Sequence, residues 1–259
     1  MLFIRTGVFM NYLRFFTDLV FPPRCPGCGG IISFGNRFSY YEGKEEEASF
    51  LHRKCRARFE YNDRSFCKRC GTPVEEGKEF CLHCMGGMRS FEEGRSVFLY
   101  QGSAKDAMME IKYKSAREYC EFFGFAAAAF LGSWIRSRNI GILVPVPVHP
   151  QRRRQRGYNQ AEELAVCIGR RLGIPVRADI LLRVGNTKAQ KELNPEERRM
   201  NLMGAFDIGK QPPPDTAILL VDDIYTTGAT MDMCAWTLKT KGNAAKVYCL
   251  SICAAVHLC

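Results

Sequence analysis

The chain has no uninterrupted run of the ~20 apolar residues that a membrane-spanning helix needs. The stretch Val8 to Phe21 is apolar in parts, but Arg14 and Asp18 break it. No small-residue cleavage site follows it, so no secretory leader is expected. Low-complexity linkers are lacking, and the second half carries no internal repeat. Acidic residues are in deficit: 27 Asp+Glu face 37 Lys+Arg, for a net charge of +10. That excess favours anionic partners such as phosphates, nucleotides or nucleic acid, without choosing among them. A soluble, cytoplasmic protein with no membrane span is therefore expected. Leu13, Phe16 and Val20 fall at helical spacing, which predicts an amphipathic helix resting on its own domain. The 46% apolar and 25% charged content is ordinary for globular chains and excludes wholesale disorder, collagen-like sequence and a coiled-coil rod.

What is abundant is cysteine. There are 13 in 259 residues, an odd number that cannot all pair within one chain. Without a leader they read as cytosolic thiols, some of them metal ligands. Seven lie between Cys25 and Cys84, and the other six are scattered singly. This asymmetry divides the chain into residues 1–92 and 93–259.

In the first part, Cys25-Pro-Gly-Cys28 and Cys67-Lys-Arg-Cys70 are both C-x2-C followed by glycine. Two thiolates at that spacing reach one tetrahedral ion, and the glycine permits the tight turn. Cys81-Leu-His-Cys84 follows Cys70 after ten residues, the reach of a short ribbon hairpin. Cys67, Cys70, Cys81 and Cys84 thus make a four-thiolate site. His52-Arg-Lys-Cys55 repeats the spacing with imidazole in place of one thiolate, so Cys25, Cys28, His52 and Cys55 make a second set. Spacing alone also permits a crossed pairing of the knuckles, a competing His83, or a purely surface His52. Two structural zinc ions are expected, because four-ligand sites leave no position for a reacting water.

In the second part, apolar runs alternate with helical patterns. Strands are expected at Val97–Tyr100, Ile142–Val148, Ala217–Val221 and Val247–Cys253. Helices are expected within Ala104 to Arg136, over Tyr158–Leu172 and from about Gly228 to Lys241. This alternation predicts an α/β fold, a parallel sheet flanked by helices on both faces. The most informative run is Val221-Asp222-Asp223-Ile224-Tyr225-Thr226-Thr227-Gly228-Ala229-Thr230. Here an apolar strand meets two carboxylates, and a loop of hydroxyls and glycine then opens a helix. N–H groups at a helix start attract phosphate, while the carboxylates suit sugar hydroxyls and, through water, magnesium.

That run resembles the phosphoribosyl pyrophosphate (PRPP) motif of type I phosphoribosyltransferases. The wider pattern is similar to the ComF family of competence-related proteins, a double zinc ribbon ahead of a phosphoribosyltransferase-like domain. The likeness lies in the N-terminal cysteine pairs, Val144-Pro145-Val146-Pro147 and Arg156-Gly157-Tyr158-Asn159-Gln160, then Thr187, Gln190, Arg198, Asn201 and Gly204-Ala205-Phe206. It covers nearly the whole chain in order. His52 in place of the usual cysteine, and the long span from Cys28 to His52, depart from it.

The resemblance implies a PRPP site with magnesium as cofactor. Asp222 and Asp223 would be its catalytic carboxylates and hold the ribose. Tyr225, Thr226, Thr227, Gly228, Ala229 and Thr230 would take the 5-phosphate, and Val146, Pro147, Val148, His149 and Arg156 the pyrophosphate. The polar segment Val184 to Met203, with Lys188 and Lys191, stands where those enzymes carry a mobile lid. Arg152, Arg153 and Arg154 would also suit pyrophosphate, or a single-stranded DNA path with Tyr158 as a stacking residue. Implied partners are PRPP or a related phosphorylated ribose, single-stranded DNA and competence-machinery proteins. Transferase activity in DNA uptake, or a non-catalytic module that senses nucleotide and binds DNA or protein, both fit.

Overall fold

A computed structural model describes residues 15–41, 46–87, 89–185 and 204–256. Four parallel strands form its centre: β1 (Gly94–Leu99), β2 (Ile140–Pro145), β5 (Ala217–Tyr225) and β6 (Lys246–Ala254), in the spatial order β1-β6-β5-β2. Near-continuous apolar sequence in β5 and β6 makes these the inner strands, covered on both faces. β3 (Leu181–Arg183) and β4 (Phe206–Ile208) pair antiparallel as a separate ribbon, which the apolar pattern did not foretell. Among the described residues no helix is long and apolar enough to cross a membrane.

The alternation of side chains along β5 builds two cores. Leu219 and Val221 join a cluster with the helices Gly102–Tyr113, Tyr119–Ser137 and Gln160–Leu172. Ile218 and Leu220 join a second with the helix Ala229–Thr240 and the β3–β4 ribbon. Each core also takes in one cysteine set. Cys25 and Cys55, with Ile32, Phe50 and Phe59, pack into the first, whereas Cys67, Cys70 and Cys84, with Phe91, pack into the second. The two metal-binding segments therefore lie on opposite faces of the sheet.

Several boundaries shift. β5 runs on through both carboxylates to Tyr225, because Asp222 pairs with Ser251 and Ile224 with Cys253. The expected helix at Tyr158 begins at Gln160, where the Asn159 side chain accepts from the Ala161 N–H at 3.1 Å, and it ends at left-handed Gly173. Residues 15–20 are helical, and Phe16 and Val20 lie on the surface rather than against the protein, at 61% and 70% exposure. Leu13, Thr187, Lys188, Gln190, Lys191, Arg198 and Asn201 lie outside the described residues, as does most of the expected lid.

Candidate functional site

Cys25, Cys28, His52 and Cys55 converge, as do Cys67, Cys70, Cys81 and Cys84. Within each set the ligand atoms lie within 4.8 Å of one another. A tetrahedron of ~2.3 Å metal–sulfur bonds requires such spacing, so both sets fit zinc without rearrangement. The knuckle turns supply the geometry. In the second, Gly71 takes φ +73°, and a Cβ there would lie 2.5 Å from the Gly94 carbonyl, so only glycine fits. In the first, His52 Nδ1 lies 3.3 Å from Cys28 Sγ and Nε2 lies 3.0 Å from the Ile31 carbonyl. A carbonyl only accepts, so Nε2 carries the proton and Nδ1 presents its lone pair to the metal. The Gly30 N–H, followed by His52, draws the Cys28 thiol down to about 6, and burial pushes Cys55 up to about 11. His83 is exposed and stands outside both sets. The N-terminal part of the protein is thus a double zinc ribbon. One donor set has three thiolates and an imidazole, the other has four thiolates, and both suit structural zinc.

The second site is the carboxyl edge of the sheet, where ligands of open parallel sheets bind. The 146–149 turn and the end of β5 adjoin there, since the Val146 N–H donates to the Val221 carbonyl at 2.9 Å. Val146 is buried, while Pro147, Val148 and His149 are partly exposed. Asn159 braces the turn by donating to the Val146 carbonyl at 3.1 Å, and His149 caps the helix Pro150–Arg156.

Adjacent strand residues face opposite sides, and the carboxylates do so here. Asp223 meets Lys112 of the helix Gly102–Tyr113, with Oδ2 and Nζ 2.9 Å apart and the side chains only 14% and 17% exposed. Asp222 lies on the other side near Cys234 and Arg183. Burial, with the charge of Asp223 next, lifts Asp222 to about 7. Burial acts to lower Lys112, but Asp223 and then Asp222 outweigh it and raise it. Asp223 is therefore paired with a cation on one face, whereas on the other the lesser pull of Lys112 and Arg183 on Asp222 is outweighed by burial and by Asp223. Burial, followed by the charge of Arg152, lowers Arg183.

Beyond β5 the chain turns at Gly228, with φ +78°, into the helix Ala229–Thr240. The Tyr225 hydroxyl packs against Gly228, so a side chain there would collide with it. Tyr225 is buried, whereas Thr226 and the start of the helix are accessible.

Other expected residues point elsewhere. The Arg156 guanidinium lies over the Tyr113 ring at 5.5 Å and donates to Gln160 Oε1 at 3.0 Å. Arg153 pairs with Glu162 at 3.1 Å, which leaves Arg152 and Arg154 as the more available of the exposed arginines. Tyr158 is no stacking platform: it is 8% exposed, and its hydroxyl donates to the Ile111 carbonyl. Sequence reasoning missed Lys112 and Arg183. Each is a single basic residue in an unremarkable setting, and only the fold brings them to the carboxylates.

Residues 16–85 match the family described as Double zinc ribbon domain. The chain is 29% identical over 199 residues to Competence protein ComFC of Bacillus subtilis, covering 74% of this chain and 79% of that protein. It is 27% identical over 184 residues to Competence protein F of Haemophilus influenzae, covering 68% and 80%. It is 26% identical over 194 residues to DNA utilization protein YhgH of Escherichia coli, covering 73% and 84%. With the ribbon family matched at one end and these relatives aligned along most of the chain, the protein is similar to the ComF family of competence proteins over most of its length.

Proposed function

We propose that the protein binds PRPP, or a closely related phosphorylated ribose, at the carboxyl edge of its sheet, and that it serves DNA uptake in natural transformation. One observation carries the ligand reading. The end of β5 sets two carboxylates, one of them paired with Lys112, directly before a hydroxyl-rich loop that opens a 12-residue helix. A ligand with a phosphate at one end and vicinal hydroxyls in the middle satisfies both parts of that arrangement. The competence and DNA-utilization names of its relatives support the process.

In this reading the N–H groups and hydroxyls of Tyr225–Thr230 hold the 5-phosphate. Asp222 and Asp223 accept hydrogen bonds from the ribose hydroxyls. The 146–149 turn, Arg152 and Arg183 face the pyrophosphate, with Arg156 held back by Tyr113 and Gln160. Lys112 holds Asp223 in place through their ion pair. Magnesium would supply charge to neutralise the pyrophosphate oxygens, and Asp222 would be the residue to meet its water shell. Positive charge developing at the anomeric carbon would be stabilised by the carboxylates as pyrophosphate departs. The ribbons of residues 1–92 brace the sheet of residues 93–259 from its two faces.

Incubation with Mg-PRPP and a panel of bases and amines tests catalysis. Pyrophosphate release above PRPP hydrolysis alone identifies a transferase. Tight PRPP binding without release identifies a sensing module, for which the exposed Arg152 and Arg154 beside the same edge offer a path to single-stranded DNA or to competence-machinery proteins.

A further inference from the structure

The chain leaving the four-cysteine site grips the proposed phosphate loop at two points. Arg89 Nη2 donates to the Thr227 carbonyl at 3.0 Å, and the same guanidinium lies near the Cys84 thiol, five residues back along the chain. One residue on, the Ser90 N–H donates to Asp232 Oδ1 at 2.6 Å, in the first turn of the helix Ala229–Thr240. Tyr225 fills the space between. It is buried against Gly228, and its hydroxyl has no hydrogen-bond partner among the described residues.

These contacts bear on which way the loop's dipoles point. A trans peptide sets its C=O and N–H on opposite sides of the plane. With the Thr227 carbonyl held inward by Arg89, the Gly228 N–H must face the other way. A phosphate loop needs this arrangement, with N–H groups toward the anion and carbonyls away from it. Left-handed Gly228 would otherwise be free to flip the peptide, since glycine adopts either sign of φ at little cost. The anchor at the far end of the guanidinium is a metal ligand. A thiolate held by zinc would keep its negative charge and so attract and orient the guanidinium beside it.

We propose that Arg89 is a positioning residue through which the Cys67/Cys70/Cys81/Cys84 metal site fixes the Thr227–Gly228 peptide, coupling metal occupancy in the ribbon to order in the loop at the carboxyl edge of the sheet. The effect on ligand affinity rests on the phosphate-loop reading above, whereas the effect on loop order does not.

The test uses the full chain carrying Arg89→Met, which keeps the aliphatic stem, and Arg89→Lys, which keeps the charge. Three quantities are read: zinc per chain, hydrogen exchange of the 225–231 segment, and binding of inorganic phosphate. Arg89→Met should retain the wild-type zinc content. Its 225–231 amides should exchange about tenfold faster, as expected for loss of one charge-assisted hydrogen bond, while β6 amides stay unchanged. Phosphate affinity should fall by a similar factor, and Arg89→Lys should recover part of both effects. Wild-type exchange in zinc-replete Arg89→Met would overturn the proposal. So would faster exchange confined to molecules that had lost the metal. Failure of the wild-type protein to bind phosphate would remove the phosphate-loop reading and leave the exchange comparison to decide the role of Arg89.

Discussion

Replacing Lys112 by methionine preserves the aliphatic stem inside the core and removes the ammonium 2.9 Å from Asp223 Oδ2. At 17% and 14% exposure the pair is mostly shielded from water. Breaking a fully buried pair by removing one partner costs about 3–5 kcal/mol, and partial water access trims this to about 2–3 kcal/mol. The loss should depend on pH, and its sign follows from Asp222. That carboxyl already sits at about 7, against 3.8 when unperturbed, because of burial and then Asp223, and Lys112 acts to lower it. A raised carboxyl stabilises the fold fully below its unfolded value and loses that contribution as pH rises through the folded value. Both proteins therefore lose stability together from about pH 4 to 7, after which the wild type levels off. The variant, with Asp222 lifted further, goes on losing stability. Urea unfolding of zinc-replete protein should show a deficit of about 2–3 kcal/mol at pH 8.5 that shrinks by about 1 kcal/mol or more at pH 6. Adding Asp222→Asn should abolish the pH-dependent part. An equal deficit at both pH values would refute the electrostatic reasoning and leave only lost packing.

Elemental analysis should find two zinc ions per chain, and His52→Ala should lose metal from the first site while the four-cysteine site stays filled; a single ion, indifferent to His52→Ala, would contradict the assignment of His52 as a ligand beside three cysteines. If the +10 charge marks a nucleic-acid path, single-strand affinity should fall steeply with salt, by a slope of about 0.7 per phosphate contacted. Replacing Arg152, Arg153 and Arg154 together should reduce both affinity and slope, with Arg152 and Arg154 contributing more than the Glu162-paired Arg153. No binding at low salt would leave phosphate ligands alone to explain these arginines.

The metal sites were legible in the sequence because their information is local. A C-x2-C knuckle with glycine is a self-contained turn, and His52-x2-Cys55 repeats it. The strands of the sheet were legible too, since β5 and β6 are near-continuous apolar runs. What remained hidden depends on distant pairing. Nothing in Ile111-Lys112-Tyr113 shows that Lys112 will meet Asp223, more than a hundred residues later, because the meeting requires β1, β6 and β5 to lie side by side. Arg89 is hidden for the same reason: its partner Thr227 lies across the interface between a ribbon and the sheet. The end of β5 was misjudged because charge at Asp222 reads as a strand terminus. The ladder with β6 carries the backbone through to Tyr225, and Lys112 pairs with Asp223 there. Tyr158 misled in the opposite direction. An aromatic among arginines reads as a stacking surface, yet its ring is core and its hydroxyl closes a buried hydrogen bond.

The measurement that bears most directly on the central claim is calorimetry of PRPP binding, with and without magnesium, to the Asp222→Asn, Asp223→Asn double variant. Removing two acidic groups beside an anion should help any anion bind by Coulomb attraction alone. Freeing Lys112 from Asp223 would add to that gain. A nonspecific anion site would therefore bind PRPP as well as before, or better. A site that uses the two carboxylates for ribose hydroxyls and the metal's water shell must lose binding. The account predicts loss of magnesium-dependent PRPP binding in a variant whose circular dichroism and zinc content match the wild type. Retained tight binding in that variant would contradict the PRPP assignment of the β5 edge.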